Sequence, residues 1–395
     1  MYATFRLLKG NAKDVSVHPD NPVHPVIAGV GLATPLGNTL AATWVGLCAG
    51  AGILTHSRVP DIDPAGEPRV NALALRVARE ACEESRWGDD ELQSAALIVG
   101  TSKGPIDAWL HQLGQAEPAG GSSLFGMAEP AAFVASEMGI GGPRLTLSAA
   151  CASGLAALIR ATLMIRAGEI SRALVVATES SLHPLFVASF TRLGVIPPAG
   201  HGCRPFDQTR GGFVIGEAAA AICLERPDVA RPSDAEIIAI DRFALGADAT
   251  HLTSSDPSGV ALRQLLARAI DGRPLDLVHA HGTGTVKNDP IELAALAAAL
   301  ARQEKPLPSL YSHKGAIGHT LGAAGLIAVA INCMAHRNGR VPPNLRTLAP
   351  LPTPGMTLDR GDVHRPVRRS LALAAGFGGA IAAVTLATRD DRVTG

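Results

Sequence analysis

The sequence predicts an α/β protein in which helices cover both faces of mainly parallel sheets. Its strands are continuous apolar runs rather than alternating ones, which is typical of strands buried on both faces. Helical segments alternate with these runs. The composition agrees, since 47% of the 395 residues are hydrophobic, only 4% are aromatic and 42 are glycine. Such a core is filled by small side chains and by close packing of helices against strands.

The predicted elements begin after an extension over residues 1–24, which shows no periodicity. The apolar runs that we interpret as strands start at HPVIAGVG, continue at 94–100, 143–149, 172–178, 218–225, 235–246 and 275–282, and end with the run over 371–388. Helical spacing is found over 39–50, 154–170, 289–303 and 322–338.

The order of these elements indicates two related α/β halves, over residues 25–234 and 235–395. Each half opens with an apolar strand, PVIAGVG or AEIIAIDRFALG. Each half later presents a strand, a reactive residue and a helix; the reactive residue is Cys151 in the first half and His281 in the second. No short repeat occurs, which excludes a solenoid. We place the seam near residue 235.

Charge and cysteine usage exclude several classes of protein. The 35 basic and 35 acidic residues balance, so no global field favours nucleic acid or an anionic membrane. The N-terminus has no secretory signal and no run predicts a membrane span. The six cysteines form no CxxC pair, which argues against a disulfide framework or a zinc site. We therefore expect a cytoplasmic protein with mostly buried thiols.

Cys151 lies where the apolar strand of LTLSAACASGLAALIRATLMIRAG gives way to a helix. The positive end of the helix dipole and free backbone N–H groups favour the thiolate, the nucleophilic form of cysteine. Small neighbours leave room for a substrate. Taken alone, the residue is equally compatible with a buried structural cysteine.

HAHGTGTVKNDPIE contains a histidine at the expected end of a strand. His281 is well placed for chemistry because ligands gather at the carboxyl ends of strands in α/β folds. Thr283 and Thr285 add two hydroxyl groups, and Asp289 is expected to be the N-cap of the next helix. A structural role remains open for His281, and His279 on the same strand is equally ambiguous.

Two glycine-rich segments follow. In SHKGAIGHTLGAAG, Lys314 is suited to balance charge and His319 to polarise a carbonyl, although a surface lysine and a helix-terminal histidine are the simpler alternatives. In AAGFGGAIAAV, Gly376 and Gly378 flank Phe377 and allow a backbone N–H to approach a substrate oxygen; the alternative is a glycine bend in a strand. The spacing is not that of a phosphate-binding loop.

These four segments, in this order, resemble the condensing enzymes of the thiolase-like superfamily, and more closely β-ketoacyl-acyl-carrier-protein synthase II and type II polyketide ketosynthases. RPFDQTRGGFVIGEAAAAICLE and HLTSSDP are also similar to family segments. The resemblance spans roughly residues 25–390. It implies a thiolase-like fold of two pseudo-symmetric βαβαβαββ halves that form a five-layer αβαβα sandwich.

The resemblance also implies roles for individual residues. Cys151 would accept the acyl group, and His281 and His319 would assist decarboxylation of a malonyl group and stabilise the enolate oxygen. Lys314 would orient and charge this site, with Asp289 as a supporting acidic residue.

Further roles concern the substrate's thioester and its arm. The backbone N–H groups of Cys151 and Phe377 would form the oxyanion hole, with Phe377 as a gate between Gly376 and Gly378. Thr283 and Thr285 would bind the phosphopantetheine arm, and Thr253 lies in the segment similar to the pocket-lining loop.

The implied reaction is a decarboxylative Claisen condensation of an enzyme-bound acyl group with malonyl-acyl-carrier protein, in fatty acid or, more in keeping with the altered pocket, polyketide or polyene biosynthesis. It needs no metal or redox cofactor, because loss of carbon dioxide makes the carbon nucleophile and two histidine donors hold the enolate; the substrate itself is carried on phosphopantetheine. The expected partners are acyl carrier protein and a second subunit, either a second copy or a chain-length factor. Arg192 and Arg204 are candidate contacts for the acidic carrier protein.

Two alternatives stay open. A non-catalytic chain-length-factor-like partner would resemble a ketosynthase, although such proteins usually lack the nucleophile. A thiolase would use coenzyme A esters and a second cysteine, which the terminal GFGG segment lacks.

The chain also departs from the family pattern around the pocket. Ala328 replaces a usual glutamate, so Lys314 loses one ionic partner. Lys103 takes the place of an apolar chain-length gate, with a snorkelling surface lysine as the alternative. The terminal motif carries Ala380 in place of a usual threonine.

Overall fold

The computed structural model describes residues 23–63, 66–113, 126–231 and 236–389. Residues 1–22 of the predicted extension over 1–24, and the seam near 235, lie outside these residues. The strands are β1 (Val26–Ala33), β2 (Ala96–Gly100), β3 (Arg144–Leu147), β4 (Arg172–Glu179), β5 (Ala218–Glu225), β6 (Ile237–Ala247), β7 (Leu277–His279), β8 (Ser309–Tyr311), β9 (Arg340–Val341), β10 (Val363–His364), β11 (Arg369–Ala375) and β12 (Ala380–Arg389). The helices are α1 (Leu40–Cys48), α2 (Arg69–Ser85), α3 (Asp89–Ser94), α4 (Ile106–Leu113), α5 (Glu129–Met138), α6 (Ser153–Arg166), α7 (Pro184–Arg192), α8 (Val260–Ile270), α9 (Asn288–Ala299), α10 (Lys314–Ile317) and α11 (Ala324–Asn338).

Ten strands form one continuous hydrogen-bonded series, which divides at the β1–β6 contact into two five-stranded sheets with the same internal order. The first sheet is β3-β2-β4-β5-β1 and the second is β8-β7-β11-β12-β6. In each sheet the first three strands are parallel to one another. The fourth strand pairs antiparallel with the third, and the fifth pairs antiparallel with the fourth. The sheets join where Val26 of β1 pairs with Ala239 of β6. The predicted pair of pseudo-symmetric βαβαβαββ halves is confirmed; the domain boundaries stay a prediction.

Helices and sheets alternate in five layers, as predicted. The middle layer consists of α6 and α11, which pack on each other and between the two sheets. Helices α2 and α5 cover the outer face of the first sheet, and α8, with α9 packed on it, covers the outer face of the second. The largest apolar cluster lies between the sheets, and smaller ones lie under each outer layer.

Glycines set the spacing of the middle layer. A Cβ on Gly154 of α6 would lie 3.0 Å from the backbone nitrogen of Leu326, and one on Gly325 of α11 would lie 2.6 Å from Cγ of Leu155. The two helices therefore approach each other through reciprocal glycine–leucine contacts. This is how a core with few aromatic residues reaches close packing.

Some predicted elements differ from the observed ones. The run over 275–282 contributes only the three residues of β7, because the chain after His279 turns into the loop that contains His281. The run over 371–388 is a hairpin, in which β11 and β12 pair antiparallel around Gly376–Gly379. Among the described residues, no helix is long and apolar enough to cross a membrane.

Candidate active site

Cys151 lies on a strained turn between β3 and α6. Ala150 just before it has a φ of 48°, a conformation that costs free energy for a residue with a Cβ. The Ser153 hydroxyl holds this turn, because it donates to the carbonyl of Ala150 (2.6 Å) and accepts from the N–H of Ala149 (2.9 Å). The turn leaves Cys151 half-buried at the start of α6.

Cys151 opens into a cavity of about 260 Å³ that is lined by both halves of the fold. The predicted residues on its wall are Cys151, His281, His319, Phe377, Gly376, Thr253, Thr283 and Thr285. Lys314, Asp289 and Gly378 do not line it. The structure thus brings together the nucleophile, the histidine pair and the hydroxyl groups, which lie up to 168 positions apart in sequence, from Cys151 to His319.

His281 and His319 are neighbours, with their ring centroids 5.4 Å apart and their planes at 80°. Nδ1 of His319 accepts the N–H of Leu321 (3.2 Å), so its ring proton resides on Nε2. Burial, and next the charge of Lys314, hold the pKa of both histidines well below 6.5. Each imidazole is therefore neutral and carries one N–H donor.

Lys314 is buried beneath this pair and donates through Nζ to the backbone carbonyl of His281. Burial lowers its pKa, while the carboxyl group of Glu292 acts in the opposite direction. Asp289, the predicted acidic support, instead accepts the N–H groups of Phe206 (2.8 Å) and Gly284 (3.1 Å). It stabilises the loops around the site and has no hydrogen bond to the lysine.

Glu292 is a site residue that the sequence prediction missed. Its carboxylate accepts the backbone N–H groups of His281 (2.5 Å) and Gly282 (2.8 Å) and the side-chain amide of Asn288 (2.9 Å). Burial raises its pKa to about 7. The available signal was its position one helical turn after Asp289, which places both carboxylates on the same face of α9.

The predicted N-cap of α9 is wrong. The helix begins at Asn288 and its N-cap is Lys287, whose side chain makes no capping hydrogen bond. The hydroxyl of Thr285 accepts the N–H of Asn288 instead (3.3 Å). Asp289 is drawn away from the helix end because its carboxylate is used by the two loops.

The hairpin between β11 and β12 brings the GFGG segment against Cys151. A Cβ on Gly376 would lie 2.9 Å from Ala149 O, Ala150 Cβ and Cys151 N, so only glycine allows this approach. The backbone N–H of Phe377 forms a hydrogen bond that favours the Cys151 thiolate. The N–H of Gly378 donates to the carbonyl of Leu252 (2.7 Å), so Gly378 stabilises the loop and lies off the cavity wall.

The protonation state of Cys151 differs from the expected one. Burial raises the pKa of its thiol to about 11, although Lys103 and Lys314 act in the opposite direction. The expectation of a resting thiolate is therefore wrong. Loss of water around the sulfur outweighs the helix terminus and the two lysines.

The remaining wall is made of hydroxyl groups and aromatic rings. Thr283 and Thr285 face each other with their Oγ1 atoms 2.9 Å apart. The N–H of Thr253 donates to Nδ1 of His251 (3.0 Å) in the neighbouring loop. Phe213, which the sequence prediction missed, packs edge-on against His319 with ring centroids 4.8 Å apart.

Comparison with known proteins identifies the family. The model of the β-ketoacyl synthase N-terminal domain matches residues 68–230, and that of the C-terminal domain matches residues 237–347. The chain belongs to the β-ketoacyl synthase family. It is a condensing enzyme of that family, as the resemblance implied.

One relative and two solved structures show how far the similarity extends. The tetracenomycin polyketide synthase ketoacyl synthase alpha subunit of Streptomyces glaucescens is 31% identical over 414 residues, covering 92% of this chain and 96% of the relative. One solved structure is of a type II polyketide synthase acyl-carrier protein in complex with its ketosynthase bound to the hexaketide. The match to a chain of that structure covers 94% of this chain and 100% of that one, with a TM-score of 0.82 at 23% identity. The ishigamide ketosynthase/chain length factor gives the same coverage and TM-score at 24% identity. The two structures establish the ketosynthase fold.

Proposed function

We propose that this β-ketoacyl synthase is active through Cys151 and condenses an acyl group bound there with a malonyl group carried by acyl carrier protein. The observation that carries the proposal is that Cys151 and the neutral pair His281 and His319 line the same cavity. A partner that only shaped a pocket would not need this set.

The first step transfers the acyl group to the enzyme. The sulfur of Cys151 attacks the carrier thioester, a new S–C bond forms, and the carrier thiol leaves with the proton that the cysteine loses. Because the pKa of Cys151 is about 11, attack and proton transfer are coupled at neutral pH. The N–H groups of Cys151 and Phe377 would stabilise the tetrahedral oxyanion.

The second step makes and uses a carbon nucleophile. Loss of carbon dioxide from the malonyl group leaves an enolate, whose oxygen would accept the N–H groups of His281 and His319. The enolate carbon then attacks the Cys151 thioester: a C–C bond forms, the C–S bond breaks, and the departing thiolate takes one proton from solvent. Neutral histidines suit this role, because each offers one N–H hydrogen-bond donor and carries no additional, acidic proton. Lys314 donates a hydrogen bond to the backbone carbonyl of His281 and so positions His281.

The substrate arm and its carrier enter from the threonine side. Thr283 and Thr285 lie on the cavity wall, and exposed Lys287 lies beside them. Arg192, predicted to contact an acidic carrier, is exposed at the end of α7. Arg204 is less available, because its guanidinium donates to His201 O and Thr209 Oγ1. The solved structure of a ketosynthase in complex with its acyl-carrier protein supports this partner class.

A cytoplasmic location remains part of the proposal.

A dimer is also part of the proposal. Strand β3 is the terminal strand of its sheet, and its residues are exposed or half-buried. An open edge of this kind accepts another strand. The second subunit is a second copy or a ketosynthase-like chain-length factor, and a polyketide or polyene pathway is favoured by the tetracenomycin relative.

The alternative is that the chain is itself a chain-length-factor-like partner. It draws on the neighbour described as a ketosynthase/chain length factor and on the departures at Ala328 and Ala380. The position of half-buried Cys151 on the cavity wall favours the active enzyme.

Acylation of Cys151 tests the proposal. The wild-type chain, Cys151→Ala and the control Cys48→Ala are incubated with hexanoyl-acyl-carrier protein, and then with malonyl-acyl-carrier protein. We expect the mass of the Cys151 peptide to increase by one acyl group and a β-ketoacyl product to form, both in wild type and in Cys48→Ala. If wild type gains no acyl group from carrier thioesters, alone or with an added ketosynthase subunit, the chain-length-factor alternative replaces the proposal.

A further inference from the structure

Lys103 places a positive charge beside the nucleophile, and neither the fold nor the reaction above requires it. The residue follows β2 and is half-buried. Its charge is the largest influence that lowers the pKa of Cys151, and it also acts on His319. The ammonium group therefore lies close to the place where an acyl group is bound.

The ammonium group of Lys103 is held against aromatic rings. Nζ lies 5.1 Å from the ring centroid of Phe186 and 5.7 Å from that of Phe190. Phe190 lines the cavity with Cys151, and its ring also contacts those of Phe213 (5.7 Å) and Phe377 (6.3 Å). Lys103 itself is not on the cavity wall, but its ammonium group lies against the Phe190 ring, which is part of that wall.

Its hydrogen-bonding capacity is only partly used. Among the described residues, the one hydrogen bond of Nζ goes to the hydroxyl of Ser102 (3.0 Å), and no carboxylate lies within ion-pair distance. Glu179, which accepts the backbone N–H of Lys103, also accepts from Thr101, from Ser102 twice and from Ser181. An ammonium group has three donors, so two have no hydrogen-bond partner within the described ranges.

We infer that Lys103 is a specificity-determining residue, which receives a carboxylate at the far end of the acyl group on Cys151. The inference rests on the proposed function, because it names the acyl class for that site. A hydrocarbon end pressed against this ammonium group would remove water from it without offering an acceptor, which is unfavourable. A carboxylate offers both charge and acceptor atoms, so the charged pair compensates for the lost water.

A purely structural role for Lys103 makes a different prediction. If the lysine only balanced the buried charge of Glu179 through Ser102, its loss would lower the stability of the protein and slow all acyl groups to the same extent. Recognition of the acyl end instead changes the ratio between acyl groups. The two roles are separated by a competition experiment.

The full-length protein is offered an equal mixture of glutaryl- and hexanoyl-acyl-carrier protein, and both adducts of the Cys151 peptide are measured by mass at early times. We expect wild type to take glutaryl at least about tenfold faster than hexanoyl. In Lys103→Met the ratio falls at least about tenfold, chiefly through slower glutaryl transfer, whereas Lys103→Arg keeps the preference. The exposed Lys305→Met serves as the control. Melting temperatures are measured for every variant.

The outcomes are distinct. An equal or hexanoyl-favouring ratio in wild type, or a ratio that Lys103→Met leaves unchanged, overturns the inference while the proposed function stands. Wild-type protein that accepts neither acyl group overturns the proposed function itself, and the inference with it.

Discussion

The two halves share one strand order but contribute different chemistry. In the first half the turn before α6 presents Cys151 half-buried on the cavity wall. In the second half the equivalent turn before α11 holds His319 with 1% of its surface exposed. A large carrier-bound substrate must reach the nucleophile, whereas the histidine N–H donors must be held in a fixed position and shielded from water. A symmetric scaffold thus places two helix starts together, and burial assigns their roles.

The sheet edges differ in the same way. The outer edge of β8 is covered, since the N–H of Leu310 donates to Thr357 O (2.7 Å) and the hydroxyl of Ser309 donates to Asp359 (3.0 Å). The corresponding edge strand β3 pairs only with β2 in the described part of the chain. Within the described ranges, therefore, the open edge for a second subunit belongs to the first half.

The contact between the halves is most strongly tested at Gly376. In Gly376→Ala the new Cβ would meet three atoms of the Cys151 turn at 2.9 Å and push the Phe377 N–H away from the sulfur. Loss of one oxyanion donor predicts a fall in condensation rate of about 10²–10³-fold. The rate of β-ketoacyl product formation measures it. Gly361→Ala, which has open space around it, is the control, and an equal rate in both variants would contradict the assigned donor.

The protonation of Cys151 distinguishes the half-buried nucleophile from the fully buried donors. With a pKa of about 11, the thiolate fraction rises about tenfold per pH unit, so alkylation by iodoacetamide should accelerate about 100-fold between pH 7 and pH 9. Mass spectrometry of the Cys151 peptide follows the rate. A plateau below pH 9 would show that the helix terminus and the lysines dominate over burial.

Buried neutral histidines make the second half sensitive to acid. The pKa of His279 is lowered to about 3 by burial, below its value of 6.5 in water, so the unfolded chain binds the proton first. Stability is complete above about pH 6.5 and declines as the pH falls towards 3; this histidine alone removes ~2 kcal/mol at pH 5. Urea unfolding at pH 7 and pH 5 measures the decline. His279→Asn should reduce it, while the exposed His364→Asn should leave it unchanged.

Glu292 tests the support beneath His281. In Glu292→Gln the amide retains one acceptor for two backbone N–H groups, so one buried donor loses its partner. We expect the free energy of unfolding at pH 8 to fall by about 1–3 kcal/mol, and condensation to slow because His281 is less well held. Glu304→Gln on the surface is the control. Unchanged stability would mean that the carboxyl group is already protonated and replaceable.

Much of the fold followed from pattern alone. Continuous apolar runs predicted β2, β4 and β5, because strands covered on both faces need apolar side chains at every position. The run over 371–388 was read as one segment, since nothing in its periodicity separates a strand from a hairpin. The three-dimensional structure shows the hairpin turn, in which Gly376 packs against the turn that contains Cys151.

The site was predicted less evenly. Reactive side chains next to glycine-rich turns pointed to Cys151, His281 and His319. Glu292 carried no such mark, because its role depends on two backbone N–H groups from another loop. The interpretation of Lys314 with Asp289 was incomplete for the same reason, since the partner of a buried charge is chosen by three-dimensional packing.

The sequence by itself determined the α/β class, the two halves and the chemical identity of the reacting groups, because periodicity and side-chain type are local properties. The tertiary structure decided that Cys151 is a thiol at rest, that both active-site histidines are neutral, and that Lys103 lies against Phe190, which shares a cavity with the nucleophile. These properties depend on the water removed and the charges brought near by distant segments, which no local pattern records.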